Sequence, residues 1–213
     1  MRLATSPLIW AVLATVLGVP IVLAAFSPQL EWRDPIYITA GFAGIFTLGL
    51  LLVQPALIAG FLPGLSAYRA RRVHHWIGGA VVLLIIVHVA GLWITSPPDM
   101  IDALTFTSPT PFSPFGVIAM WAIFAVAVLA FFRRRLGLRT WRIVHMSLAA
   151  VIVIVIGSAA HAMLIEGTME TMSKAALCAL VLAAAVKVMA EVWARQKKTR
   201  PMRSSSGGTS SSS

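Results

Sequence analysis

The sequence predicts an all-α fold: a polytopic membrane bundle of six transmembrane helices with both termini in the cytoplasm. Three observations carry that expectation. Of the 213 residues, 59% are hydrophobic and only 11% are charged, with a mean hydropathy of +0.88. A soluble domain of this length needs a polar surface, and these charges are too few to make one. Six apolar stretches recur, at about 8–26, 36–61, 76–95, 115–132, 146–165 and 175–194. Each approaches the ~20 residues a helix needs to cross ~30 Å of hydrocarbon, and lipid-exposed backbone must satisfy its own hydrogen bonds. Finally, basic and non-basic loops alternate along the chain.

The first stretch carries one basic residue, an apolar run and small residues near its end, which is also how a signal peptide reads. A retained helix is preferred, because the run is long and no convincing cleavage site follows. The second stretch contains Pro55, a candidate kink. The loop after it carries Arg69, Arg71 and Arg72. The third stretch leads into "TSPPDMIDALTFTSPTPFSP", which has Asp99 and Asp102 but no Lys or Arg, and is read as a loop. Behind the fourth stretch come Arg133, Arg134, Arg135, Arg139 and Arg142. Behind the fifth come Glu166, Glu170 and Lys174. The sixth holds Cys178, Lys187 and Glu191. Lys187 and Glu191 are spaced i,i+4 as a pair. The basic tail after it ends in a serine-rich stretch, 201–213, expected to be disordered. Residues 1–200 form a single transmembrane domain.

The net charge of +10 does not point to nucleic acid, because the cations sit in short clusters between apolar runs. With Cys178 as the single cysteine, no disulfide within the chain and no Cys-rich iron–sulfur or zinc site can form. No Gly-rich dinucleotide fingerprint follows a strand, so the chain carries no flavin or nicotinamide domain of its own.

The five histidines are His74, His75, His88, His145 and His161, and all belong to the third and fifth stretches. His74 and His88 are 14 residues apart, which brings them within ~40° on one helix face and separates them by ~21 Å. His75 falls on roughly the opposite side from His88, so His74 is preferred and His75 is the alternative. His161 lies 16 residues after His145, about 24 Å along the axis. The two helices run in the same direction. His74 (or His75) is then level with His145 near the cytoplasmic face, and His88 with His161 toward the outside. Two levels, each with an imidazole from two helices, are what two stacked six-coordinate haems need. Zinc or copper wants three or four ligands close together, and these are spread along each helix. The competing readings are plain ones: interfacial histidines beside arginines are often only solvated, and a buried one can hydrogen-bond a neighbouring helix.

Around these residues, Arg69, Arg71, Arg72 and Arg142 are candidates to pair with haem propionates. The positive-inside rule accounts for them equally well. Trp76, Trp93, Trp121 and Trp141 read as interface anchors. Gly78, Gly79 and Gly91 read as helix-contact positions.

The third stretch, "RRVHHWIG…VHVAGLW", and the opening of the fifth, "WRIVH", resemble the ferric-reductase-like transmembrane family. That family includes the membrane part of NADPH oxidases and ferric-chelate reductases, and the haem-binding membrane subunit of bacterial methionine sulfoxide reductase. The resemblance spans about 36–195. The family's pattern maps onto His74, His88 and His145 here. Its second fifth-helix histidine usually comes about 13 residues after the first, where this chain has Ser158. His161 is three residues further on, and an irregularity near Gly157 would have to absorb the shift.

The resemblance implies a b-type cytochrome of the bacterial inner membrane, carrying haem b (two groups, or one) and no flavin within this chain. Electrons would come from a separate flavin reductase or from membrane quinol. They would leave to a periplasmic acceptor or a ferric chelate. Two rival readings are an accessory protein whose histidines only pack, which would show no Soret band, and a transporter. Transporters tend to carry inverted repeats, and none is legible here.

Overall fold

The computed structural model describes residues 5–166, and every regular element among them is helical. The helices are α1 (Thr5–Ala25), α2 (Pro35–Ala59), α3 (Ala67–Thr95), α4 (Pro97–Leu104), α5 (Ser113–Phe131) and α6 (Leu138–Glu166), with short 3-10 turns after α1 and α5. Five helices are long and apolar enough to cross a membrane: all but α4. The sixth apolar stretch, with Cys178, Lys187 and Glu191, and the serine-rich tail lie outside the described residues.

Local chemistry sets the ends. Asp34 caps α2 by accepting from the Ile36 N–H, and Pro35 fills a first-turn position whose N–H would have no partner anyway. The helix runs through Pro55 without a break and stops at Gly60, whose φ of 73° lets its N–H turn back to the Ala56 and Leu57 carbonyls. Ser66 caps α3 by accepting from Arg69 N–H. In the apolar setting, Thr39, Thr47 and Thr95 hide their hydroxyls by donating to the carbonyls of Pro35, Ala43 and Gly91 four residues back.

Two helices differ from the apolar stretches that announce them. α3 begins nine residues ahead of its stretch and α6 eight ahead, each at 29 residues, or about 43 Å. The basic first turns are helical too. A hydropathy pattern registers only the part that sits in hydrocarbon, whereas Arg and Ala continue a helix into the headgroups. The loop after α3 also contains α4. Its Met100 is buried, and its carboxyl end is closed by Thr107 and Ser108 N–H groups on the Asp102 carbonyl.

The bundle is built from two closely packed pairs, α2 along α3 and α5 along α6, bridged mainly by α3 against α5. α1 lies lightly on α2. It is held by a Trp10 indole N–H to Pro63 carbonyl bond of 3.3 Å. A shared core of Val81 and Ile85 from α3, Met120 and Ile123 from α5, and Ile152 and Ile156 from α6 fills the seam. Outward-facing Leu83, Ile86, Val128 and Ile154 are half or more exposed. A continuous apolar exterior of this kind suits lipid, and the chain is a multi-pass membrane protein.

The α2–α3 pair is close because Gly91 has no side chain. A Cβ there would stand 2.7 Å from the Ala40 Cβ, well inside contact distance. A Cβ on Gly78 would meet the Gln54 amide at 3.4 Å, and one on Gly79 would meet nothing within 4 Å. Gly91→Ala should therefore force α2 and α3 apart and cost about 1–3 kcal/mol, read as a lower unfolding temperature in detergent. Gly79→Ala should not lower it. Equal effects of the two substitutions would contradict this packing.

Candidate metal centre

His74 and His145 lie on different helix pairs, each seven residues in from the first residue of its helix, or about 10 Å deep. α3 and α6 make little backbone contact with each other. Across that seam the two imidazole centres stand 6.3 Å apart with their planes at 74°. Both rings are half-buried.

Three further residues frame the pair. The Gln54 side-chain amide on α2 donates to the His74 backbone carbonyl at 3.2 Å. Trp141, one turn before His145, stacks on its imidazole at 5.1 Å with planes 16° apart. The Arg133 guanidinium lies 5.7 Å from the centre of the Trp141 ring, a cation–π contact. Trp141 therefore does not act as a simple interface anchor: its spacing to His145 puts both rings on one side of α6. Trp76, Trp93 and Trp121 are exposed, with Trp121 midway along α5 rather than at its end.

The polar accounting is unbalanced at this place. Four buried side-chain atoms have no hydrogen-bond partner among the described residues: His74 Nδ1, His145 Nδ1, Trp141 Nε1 and Gln54 Oε1. Each such atom costs about 1–3 kcal/mol, and all four belong to the histidine pair or to residues that frame it. A concentration of this sort marks a site that takes its remaining partners from a bound group, from water or from residues outside those described.

The donor set narrows what that group is. Metal–imidazole bonds run about 2 Å, and each ring centre lies roughly 1 Å behind its nitrogen. Two imidazoles sharing one metal ion thus have centres about 6 Å apart, as here. No group of three or more His, Cys, Asp or Glu converges among the described residues. An ion held by only two protein donors must bring its other ligands with it, as a macrocycle-bound iron does. The residues present fit such a group.

The outer level differs. His88 is largely enclosed and docks on α2, its Nδ1 2.7 Å from the Ala40 carbonyl. A carbonyl only accepts, so Nδ1 carries the proton. Ala40 also lines an open apolar depression of about 380 Å³ between α2 and α3, with Ile36, Thr39, Val87, Ala90, Gly91 and Ile94. His161 is in α6, but its side chain falls outside the described residues. α6 is continuous through Gly157, so no helix irregularity there absorbs the three-residue offset. Ser158 donates to the Ile154 carbonyl at 3.0 Å, an ordinary local helix bond.

His75 is exposed, whereas its neighbour His74 is the residue brought to His145. Arg72 and Arg142 are exposed in the second turns of α3 and α6. Sequence reasoning did not find Gln54, Gly44 or the Ala40 carbonyl. Gln54, the one side-chain amide in α2, was a visible signal. Ala40 and Gly44, small residues four apart, were another. The carbonyl left none.

A model of the ferric reductase like transmembrane component family matches residues 40–156, more than half of the chain. This is narrower than the resemblance first drawn. The match takes in His74, His75, His88 and His145 and stops short of His161. No curated protein and no solved structure matches the chain.

The geometry orders the histidines by access. Brief treatment of the solubilised protein with diethyl pyrocarbonate, followed by peptide mass spectrometry, should modify His75 well before His74, His88 or His145. His74 reacting as fast as His75 would contradict the inward position of His74.

Proposed function

The chain belongs to the ferric-reductase-like transmembrane family, and on that premise we propose that it is a b-type cytochrome moving electrons across a bacterial inner membrane. The observation that supports this most is the opposed pair His74 and His145, at one depth, with no third protein donor nearby among the described residues.

In this reading six helices span, with both termini and the arginine-rich junctions in the cytoplasm. α3 and α6 then both start at the cytoplasmic face, which agrees with the meeting of His74 and His145 two turns inside. His74 and His145 hold the inner haem, and His88 with His161 the outer one. Haem iron supplies a one-electron change between ferric and ferrous states. The protein contributes the rest. Gln54 steadies the backbone that carries His74, and Trp141 fixes the plane of the His145 ring. The core between α3, α5 and α6 keeps water out. Arg72 and Arg142, at the mouth of the inner level, pair with propionates. With one cysteine in the chain, no C-x-x-C-H attachment exists, so the haem is held by ligation and packing alone.

The donor is a separate cytoplasmic flavin reductase or membrane quinol, and the acceptor is a periplasmic redox partner or a ferric chelate. The family name favours iron as the acceptor. No residue of the described site selects it.

Reduced-minus-oxidised spectra with haem quantitation test this reading. Wild type should show b-type absorbance, with a ratio near two haems per chain for the full arrangement and one for the inner site alone. His74→Ala and His145→Ala should each lose about one haem equivalent, and His75→Ala none. Full haem content in His145→Ala would overturn the assignment.

A further inference from the structure

Two glycines on α2, three residues apart, meet different surroundings. A Cβ on Gly41 would find nothing within 4 Å. A Cβ on Gly44 would stand 3.0 Å from His88 Nδ1 and 3.1 Å from its Cε1, closer than a carbon normally comes to either atom. The ring has little room to retreat, because its Nδ1 is bound to the Ala40 carbonyl at 2.7 Å. Nor can α2 and α3 readily separate around it. The same residue, Ala40, is pinned on its other side, where its Cβ fills the space left by Gly91 one turn further along α3.

We propose that Gly44 is a positioning residue: its missing side chain and the Ala40 carbonyl together form a seat on α2 that fixes the tautomer and direction of His88. The inference that the seated nitrogen serves a bound haem rests on the cytochrome reading above. The seat itself rests on the contacts alone. The two nitrogens of an imidazole lie on opposite flanks of the ring. Tying Nδ1–H to α2 turns the Nε2 lone pair away from α2. A ligating histidine characteristically gives its other N–H to a carbonyl in this way, and the bond raises the basicity of the ligating nitrogen. His74 and His145 have no such partner on Nδ1 among the described residues, so His88 is held differently from these two. A packing role alone, small residues letting two helices approach, would make Gly44 matter for stability but not for which nitrogen of His88 carries the proton.

The test uses the full chain with Gly44→Ala, and Gly41→Ala as the control. In haem-free protein from cells unable to make haem, ¹⁵N-histidine NMR reads the tautomer of His88, assigned by its loss in His88→Ala. Wild type and Gly41→Ala should show the Nδ1-protonated form, and Gly44→Ala should lose its dominance. In haem-loaded protein, potentiometric titration should show one midpoint potential shifted in Gly44→Ala, with another unchanged. Gly41→Ala should match wild type. An Nε2-protonated His88 in the wild type would overturn the proposal, even if Gly44→Ala failed to fold. So would a Gly44→Ala protein with wild-type tautomer and potentials. An Nδ1-protonated, Gly44-dependent His88 in a protein that never takes up haem would leave the seat standing and remove the cytochrome reading instead.

Discussion

Two imidazoles from separate helix pairs stand 6.3 Å apart across a seam where the backbones themselves scarcely meet. Neither ring has a partner on its buried Nδ1 among the described residues. Folding stability alone would not select this arrangement. Apolar residues at positions 74 and 145 would close the seam and remove two unsatisfied polar groups, each costing about 1–3 kcal/mol. The arrangement makes sense as one completed by something else. The rest of the structure reads as the means of holding it: the two pairs set the width of the seam, and the common core sets their relative height.

The α2–α3 pair is rigid for a reason that can be named. Along α2, Ala40, Gly44 and Gln54 meet α3 at two levels, that of His88 and that of His74. Ala40 touches Gly91 and holds His88, Gly44 leaves room for that ring, and Gln54 grips the His74 backbone. α2 bears no histidine, yet it fixes where His74 and His88 of α3 sit. The α5–α6 pair plays the matching part for His145, with Trp141 and Arg133 stacked outward from it toward the arginine-rich junction. Within lipid, where apolar surface gives no preference for one helix neighbour over another, close approach and a few polar contacts decide such packing.

Much of this was legible beforehand, and unevenly. Helix number and location among the described residues follow from apolar length, because hydrocarbon thickness is a strict ruler. Helix starts do not, since the ruler is silent outside hydrocarbon; hence the early starts of α3 and α6 and the unforeseen α4. The preference for His74 over His75 came from helical periodicity, and His74 is the one that faces α6. Trp141 was misjudged because an aromatic at a helix end has a common explanation in interfacial anchoring, and only its four-residue spacing from His145 pointed elsewhere. Ala40 contributes a backbone carbonyl, which no side-chain pattern reveals.

The central claim is that His74 and His145 grip one iron between them. Pulsed electron–nuclear double resonance on the ferric protein, with ¹⁵N-labelled histidine, measures it most directly. The account predicts a low-spin signal coupled to two axial imidazole nitrogens that is lost, together with about one haem equivalent, in both His74→Ala and His145→Ala. A low-spin bis-imidazole signal of undiminished intensity in either variant would contradict it.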